Sequence, residues 1–84
     1  MPVNVTIDTA SKEEAELIAA LLSHEAEAKS VRGYGFIQLR CRSMTETQRI
    51  LDAVGAGARL HCLPWIRVRW DDEERVFRQG RPCF

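Results

Sequence analysis

The sequence predicts a two-layer α+β sandwich, in which two amphipathic helices cover one face of a four-stranded mixed sheet. Three observations support this fold class: stretches of alternating apolar and polar residues, serine capping boxes ahead of two helical patterns, and polar turns between the elements. The expected order is β-α-β-α-β-β. With 84 residues, the chain is long enough for one modest core. We therefore expect a single domain over residues 1–79 and a C-terminal tail over residues 80–84.

The first strand and the first helix follow simple periodic patterns. Residues 3–7 alternate between apolar and polar, as in a half-buried strand. Ser11-x-x-Glu14 is a capping box, and the apolar residues that follow recur at helical spacing. These features predict a helix from about Lys12 to about Glu27. In an alternative interpretation, residues 25–31 form a short extra strand.

The central strand is predicted over residues 32–42. Successive side chains of a strand point to opposite faces, so Ile37, Leu39 and Cys41 are expected to face the core. The other face then carries Tyr34, Phe36, Gln38, Arg40 and Arg42. Core packing does not require a face with two aromatic residues and two arginines. We interpret this face as a binding surface, with Tyr34 and Phe36 at least partly exposed.

The second half of the chain predicts a short helix and a hairpin. Ser43-x-x-Glu46 caps the helix, and Gly55-Ala56-Gly57 is expected to end it, because glycine adopts the left-handed C-cap geometry without strain. In residues 65–70, Ile66, Val68 and Trp70 share the inner face, while Trp65, Arg67 and Arg69 share the outer face. Residues 75–78 return as a hairpin strand. A direct crossover through the first helix would make the central strand parallel to the first strand.

Charge and cysteine content argue against several classes of function. The 12 basic and 12 acidic residues give no net charge, whereas a stand-alone nucleic-acid binder is typically strongly basic. Cys41, Cys62 and Cys83 have neither disulfide-framework nor zinc-site spacing, so we expect free thiols, no metal and no cofactor. No recognisable catalytic pattern is present, which argues against an enzyme. The absence of a leader or a membrane-length apolar run favours a cytoplasmic protein without a membrane partner.

The stretch Arg32-Gly33-Tyr34-Gly35-Phe36-Ile37-Gln38-Leu39 resembles the RNP1 octapeptide of RNA-recognition motif domains, K/R-G-F/Y-G/A-F-V-x-F/Y. The first five positions fit, Ile37 is a conservative replacement, and Leu39 departs from the final aromatic residue. The resemblance implies that bases of a single strand stack on Tyr34 and Phe36. The predicted element order differs from the β-α-β-β-α-β order of that family. Residues 3–8 also lack the exposed aromatic residue of the family's first strand.

Two functional hypotheses follow from this surface. The first is a non-catalytic inhibitor or adaptor that docks on a protein of a nucleic-acid-handling complex, because aromatic residues and arginine anchor protein interfaces. In size and lack of a catalytic motif, the chain resembles small phage-encoded anti-CRISPR proteins. The second is single-stranded RNA or DNA binding, and a further alternative is that the chain's own tail or a homodimer partner covers the surface. The neutral charge favours a protein partner. The predicted binding residues are Tyr34, Phe36, Arg40, Arg42, Trp65, Arg67 and Arg69.

Overall fold

The computed structural model describes residues 2–22 and 26–78, and the backbone of residues 81–83. The elements are β1 (Val3–Thr9), α1 (Lys12–Leu21), β2 (Ala28–Val31), β3 (Tyr34–Cys41), α2 (Met44–Leu60), β4 (Trp65–Trp70), β5 (Glu73–Arg78) and β6 (Arg81–Cys83). The six strands form one sheet in the order β2-β3-β1-β4-β5-β6, and every neighbouring pair is antiparallel. The predicted α+β class is confirmed. The predicted β-α-β-α-β-β order and four-stranded mixed sheet are wrong.

The short strand β2 explains the difference in topology. Val31 pairs with Tyr34, and the two residues between them, Arg32 and Gly33, have φ angles of 52° and 86°. Two consecutive positive φ angles are typical of a type I′ hairpin turn, whose twist matches that of the flanking strands. This reversal returns β3 antiparallel to β1, so the predicted parallel crossover is wrong and the alternative of an extra strand is confirmed. Arg32 and Gly33 belong to the turn, and Arg42 follows the end of β3.

Both helices begin at the predicted serine caps. The Oγ of Ser11 accepts a hydrogen bond from the backbone N–H of Glu14, and the Oγ of Ser43 accepts one from Glu46, each at 3.3 Å. These bonds satisfy amide groups that have no partner within the helix. α1 is shorter than predicted, and part of its predicted continuation, residues 23–25, lies outside the described residues. Neither helix in the described part of the chain is long and apolar enough to cross a membrane.

The glycines predicted to end α2 lie inside the helix. A Cβ atom on Gly55 would be 2.9 Å from the ring of Phe77, and one on Gly57 would be 2.6 Å from Cδ1 of Leu21. Contacts this short would force Phe77 or Leu21 to move if either glycine carried a side chain. The two glycines therefore allow α2 to pack closely against β5 and α1, and the prediction that they terminate the helix is wrong.

The C-terminus of α2 is instead a Schellman motif built without glycine. Cys62 adopts the left-handed conformation with φ 53°, and the backbone N–H of Leu63 donates to the carbonyl of Ala58 at 2.9 Å. The second bond of the motif joins the N–H of Cys62 to the carbonyl of Arg59 at 3.3 Å. The helix therefore extends to Leu60, just before the chain enters β4.

The hydrophobic core lies between the two helices and one face of the sheet. Its centre is a row across three neighbouring strands, in which Ile7 of β1 is opposite both Ile37 of β3 and Val68 of β4. Ile18 of α1 and Val54 of α2 belong to the same buried cluster, and all five side chains are fully buried. Both helices therefore pack on one face, as predicted.

At the edge of the sheet, β6 pairs with β5, with Val76 opposite Cys83. Three residues of the segment predicted as a tail, Arg81–Cys83, thus belong to the sheet.

We predict that Gly35→Ala lowers the free energy of unfolding by about 1–3 kcal/mol, measured by denaturant titration. A Cβ atom at Gly35 would overlap the carbonyl oxygen of Ser11 and lie 2.5 Å from Oγ1 of Thr9. Gly33→Asn is the matched control, because no atom lies within 4 Å of that Cβ position and asparagine tolerates positive φ. Equal losses for the two variants would contradict this account.

Candidate functional site

The face of the sheet opposite the helices is called the open face. The strand registers place every second residue of β1 to β5 on it. In the described part of the chain no helix covers this face, because the buried cluster that includes both helices lies on the other side. Its residues are Asn4, Thr6, Asp8, Lys29, Val31, Tyr34, Phe36, Gln38, Arg40, Trp65, Arg67, Arg69, Glu74, Val76 and Arg78.

Three aromatic side chains border a groove at one end of the open face, which we call the aromatic groove. Its volume is about 300 Å³, and its lining includes Tyr34, Phe36, Trp65, Arg67 and Val31. Tyr34 is 60% exposed, while Phe36 and Trp65 are half-buried. Tyr34 and Phe36 are therefore at least partly exposed, as predicted. The groove is lined by residues from β1, β2, β3 and β4, which are brought together only by the sheet.

The carboxylate of Asp8 lies between the aromatic side chains and the arginines. Asp8 is opposite Phe36 on one side and Arg67 on the other. Its Oδ2 accepts a hydrogen bond from Nε of Arg67 at 3.2 Å and is 2.9 Å from Nη2 of Arg69. The Asp8 side chain is only 18% exposed, so these contacts are partly shielded from solvent. One carboxylate oxygen thus binds two of the predicted binding arginines.

The sequence analysis missed Asp8. Continuing the alternation of the first strand by one step beyond Thr6 would have placed Asp8 on the outer face. Its contacts, however, depend on the register between β1 and β4, which no local pattern reveals. Val31 was missed for a similar reason, because it reaches the groove only through the β2–β3 hairpin.

The remaining predicted arginines lie away from the aromatic groove. Arg40 lines a separate hollow of about 440 Å³, called the polar hollow, at the other end of the open face with Asn4, Thr6 and Gln38. Arg42 follows β3, and its backbone N–H donates to Oε2 of Glu46 at 3.1 Å. The structure therefore groups Tyr34, Phe36, Trp65 and Arg67 in one groove and joins Arg69 to them through Asp8. Arg40 and Arg42 are not part of that group.

The described part of the open face carries a net positive charge. Two carboxylates, Asp8 and Glu74, oppose five basic side chains. The five basic residues are Lys29, Arg40, Arg67, Arg69 and Arg78. Although the whole chain has no net charge, this face is positively charged and therefore attracts anionic partners.

The cysteines differ in their surroundings. Cys41 is 2% exposed, and its burial raises the pKa of the thiol; a hydrogen bond with Thr47 opposes this shift, and the charge of Glu46 adds to it. Cys62 is exposed after the end of α2. Among the residues that the structure describes, no group of three or more histidine, cysteine or acidic residues could hold a metal ion. The side chain of Cys83 lies outside the described residues.

The chain matches no protein-family model, no curated protein and no solved structure.

We predict that iodoacetamide modifies Cys62 rapidly and Cys41 slowly in the native protein, as measured by mass spectrometry of the labelled peptides. Burial restricts access to Cys41, and its raised pKa lowers the fraction of reactive thiolate at any given pH. After unfolding without a reductant, all three cysteines should be modified. Equal native rates for Cys41 and Cys62 would contradict the buried position of Cys41.

Proposed function

We propose that this protein is a non-catalytic binding protein whose open face binds single-stranded RNA or DNA. One observation carries the proposal: the aromatic groove brings Tyr34, Phe36 and Trp65 together with Arg67 on a sheet face that no described helix covers. Aromatic side chains and arginine are enriched at binding surfaces, where the flat rings supply contact area. An ordinary packing role does not explain this grouping.

The chemistry of the groove suits unpaired bases. Every base has a flat π-face that can stack on an aromatic side chain, and each such stack contributes about 1–3 kcal/mol. A cavity of about 150 Å³ can hold a benzene molecule, so a groove of about 300 Å³ has room for a flat ring. The guanidinium of Arg67 at the same groove can stack on a base or contact a phosphate. Bases paired inside a duplex do not offer their faces in this way.

The position of β3 in the sheet supports the same proposal. Through β4, the order is β-α-β-β-α-β, and the strand with the RNP1-like residues lies next to β1 near the middle of the sheet. RNA-recognition motif domains have this same order. The order predicted from the sequence alone had differed from it. One difference from that family remains, because β1 contributes Asp8 to the groove where an aromatic residue would be expected.

A protein partner is the second candidate, and a specific observation favours it. Asp8 already binds Arg67 and Arg69, which leaves fewer free cations beside the groove for phosphates. The chain as a whole also has no net charge. In this case the protein would act as an inhibitor or adaptor on a nucleic-acid-handling complex. Phe36 and Trp65 would then be its interface anchors, as aromatic residues often are.

We predict that Phe36→Ala weakens binding to an unstructured oligonucleotide of about ten nucleotides by about 1–3 kcal/mol, measured by fluorescence anisotropy. The dependence of affinity on salt, compared between about 50 mM and about 200 mM, should hardly change, because the variant removes stacking and not a phosphate contact. Tyr34→Ala should act in the same direction. Leu60→Ala, an exposed leucine at the end of α2, is the matched control and should bind like the wild type.

The same experiment separates the two candidates. Absence of oligonucleotide binding at low salt would contradict the nucleic-acid proposal. If nuclease-treated cell extract then yields a bound protein that is lost with Phe36→Ala and retained with Leu60→Ala, the second candidate is favoured. Binding that is equally weakened by Leu60→Ala would contradict a role for the open face.

A further inference from the structure

We infer that Asp8 is a specificity-determining residue that acts as an internal counterion and limits how many phosphates the open face can contact. This inference rests on the proposed function, because it concerns how the same face handles a nucleic-acid backbone. In the structure, Arg67 and Arg69 are held by a carboxylate of the protein itself. Asp8 neutralises part of their charge, so a phosphate that contacts either guanidinium group competes with this carboxylate.

The geometry of the cluster supports this assignment. Both guanidinium groups converge on a single oxygen, Oδ2 of Asp8, at 3.2 Å for Arg67 and 2.9 Å for Arg69. The Arg67 contact is a hydrogen bond and the Arg69 contact is an ion pair, and both bring opposite charges together on a partly covered carboxylate. The carboxylate is largely covered, whereas the two arginine side chains are nearly half exposed. Each arginine gives one nitrogen to Asp8 and keeps its other N–H groups accessible to a ligand, but its charge is already partly neutralised.

This arrangement has a consequence for ligand choice. Transfer of Arg67 and Arg69 from Asp8 to a phosphate exchanges one anion for another, so little electrostatic free energy is gained. The two arginines then release few counterions from the nucleic acid, and they contribute little to the salt dependence of binding. Affinity depends instead on base stacking in the aromatic groove. Asp8 therefore biases the face towards strands with accessible bases and against binding to phosphates alone.

The second carboxylate of the open face, Glu74, provides a comparison. Glu74 is exposed on β5 directly opposite Arg69 in the strand register. Among the ion pairs formed by the described residues, none within 4.0 Å involves Glu74. Neutralising Glu74 changes the charge of the face by the same amount as neutralising Asp8, but it releases neither Arg67 nor Arg69 from a contact. Comparing the two substitutions therefore distinguishes the effect of freeing Arg67 and Arg69 from the effect of simply removing one negative charge from the face.

The test compares Asp8→Asn and Glu74→Gln in binding to the same mixed-sequence single-stranded oligonucleotide of about ten nucleotides. Asp8→Asn is expected to raise affinity about tenfold at low salt, because two cations become free for phosphate contacts. The slope of log affinity against log salt should steepen by up to about 1.4, since each gained contact on a single strand adds about 0.7. Glu74→Gln should raise affinity by a smaller factor without steepening the slope.

A second substitution tests the inference without relying on the folding of Asp8→Asn. In the wild type, Arg69→Gln should leave the salt slope unchanged, because Arg69 is engaged with Asp8. In the Asp8→Asn background, the same change should remove about half of the gained slope. A wild-type slope that falls by about 0.7 with Arg69→Gln would show that Arg69 already contacts a phosphate, and would overturn the inference. Thermal unfolding of each variant controls for loss of structure.

The outcomes for the inference and for the proposed function are distinct. If the wild type binds in a Phe36-dependent manner but Asp8→Asn binds no better than Glu74→Gln, the role of Asp8 is overturned and the proposed function stands. If neither the wild type nor Asp8→Asn binds oligonucleotide, both are overturned. Binding by Asp8→Asn alone would overturn the proposed function and support the role of Asp8 in withholding the arginines.

Discussion

The buried row of Ile37, Ile7 and Val68 fixes the register of the three central strands, and the open face depends on that register. All three side chains are fully buried at the centre of the core. Because side chains alternate along a strand, burying this row places the adjacent row of Phe36, Asp8 and Arg67 on the opposite face. A slip of one residue would reverse both sets. The candidate site is thus held in place by packing on the far side of the sheet.

In the RNP1-like stretch, the fold explains the presence of some residues and not of others. Gly33 provides a positive φ angle in the hairpin turn, and Gly35 allows close approach of the backbone at Ser11. The fold alone accounts for these two glycines. It does not account for Tyr34 and Phe36, which face away from the core. The proposed function therefore rests on the two aromatic residues of this stretch and not on its glycines.

The open face combines three chemical environments in a fixed order. The aromatic groove lies at one end, the carboxylate of Asp8 and its two arginines lie in the middle, and the polar hollow with Arg40 lies at the other end. A face of this kind offers stacking, charge and hydrogen bonding along the direction of the strands. The internal ion pairs reduce the charge that is available to a ligand. Under the proposed function, this balance favours strands with accessible bases over strong attraction to any polyanion.

The sequence alone determined the features that depend on short-range chemistry. The serine caps at Ser11 and Ser43 depend on hydrogen bonds within one helical turn, and they were predicted correctly. The inner and outer faces of β3 and β4 depend only on the period of a strand, and they too were predicted correctly. The face carrying Tyr34, Phe36, Trp65 and the arginines was therefore recognisable before the structure was known.

Only the tertiary structure decided how these pieces meet. It showed that β2 turns β3 antiparallel to β1, that Gly55 and Gly57 serve packing and not helix termination, and that Asp8 binds two arginines from a strand nearly 60 residues away. Each of these outcomes depends on which distant surfaces bury most area together. A local sequence pattern shows the periodicity and the caps of a helix or strand, but it does not show which other element that helix or strand packs against. Strand order, register and the Asp8 contacts therefore could not be predicted from the sequence.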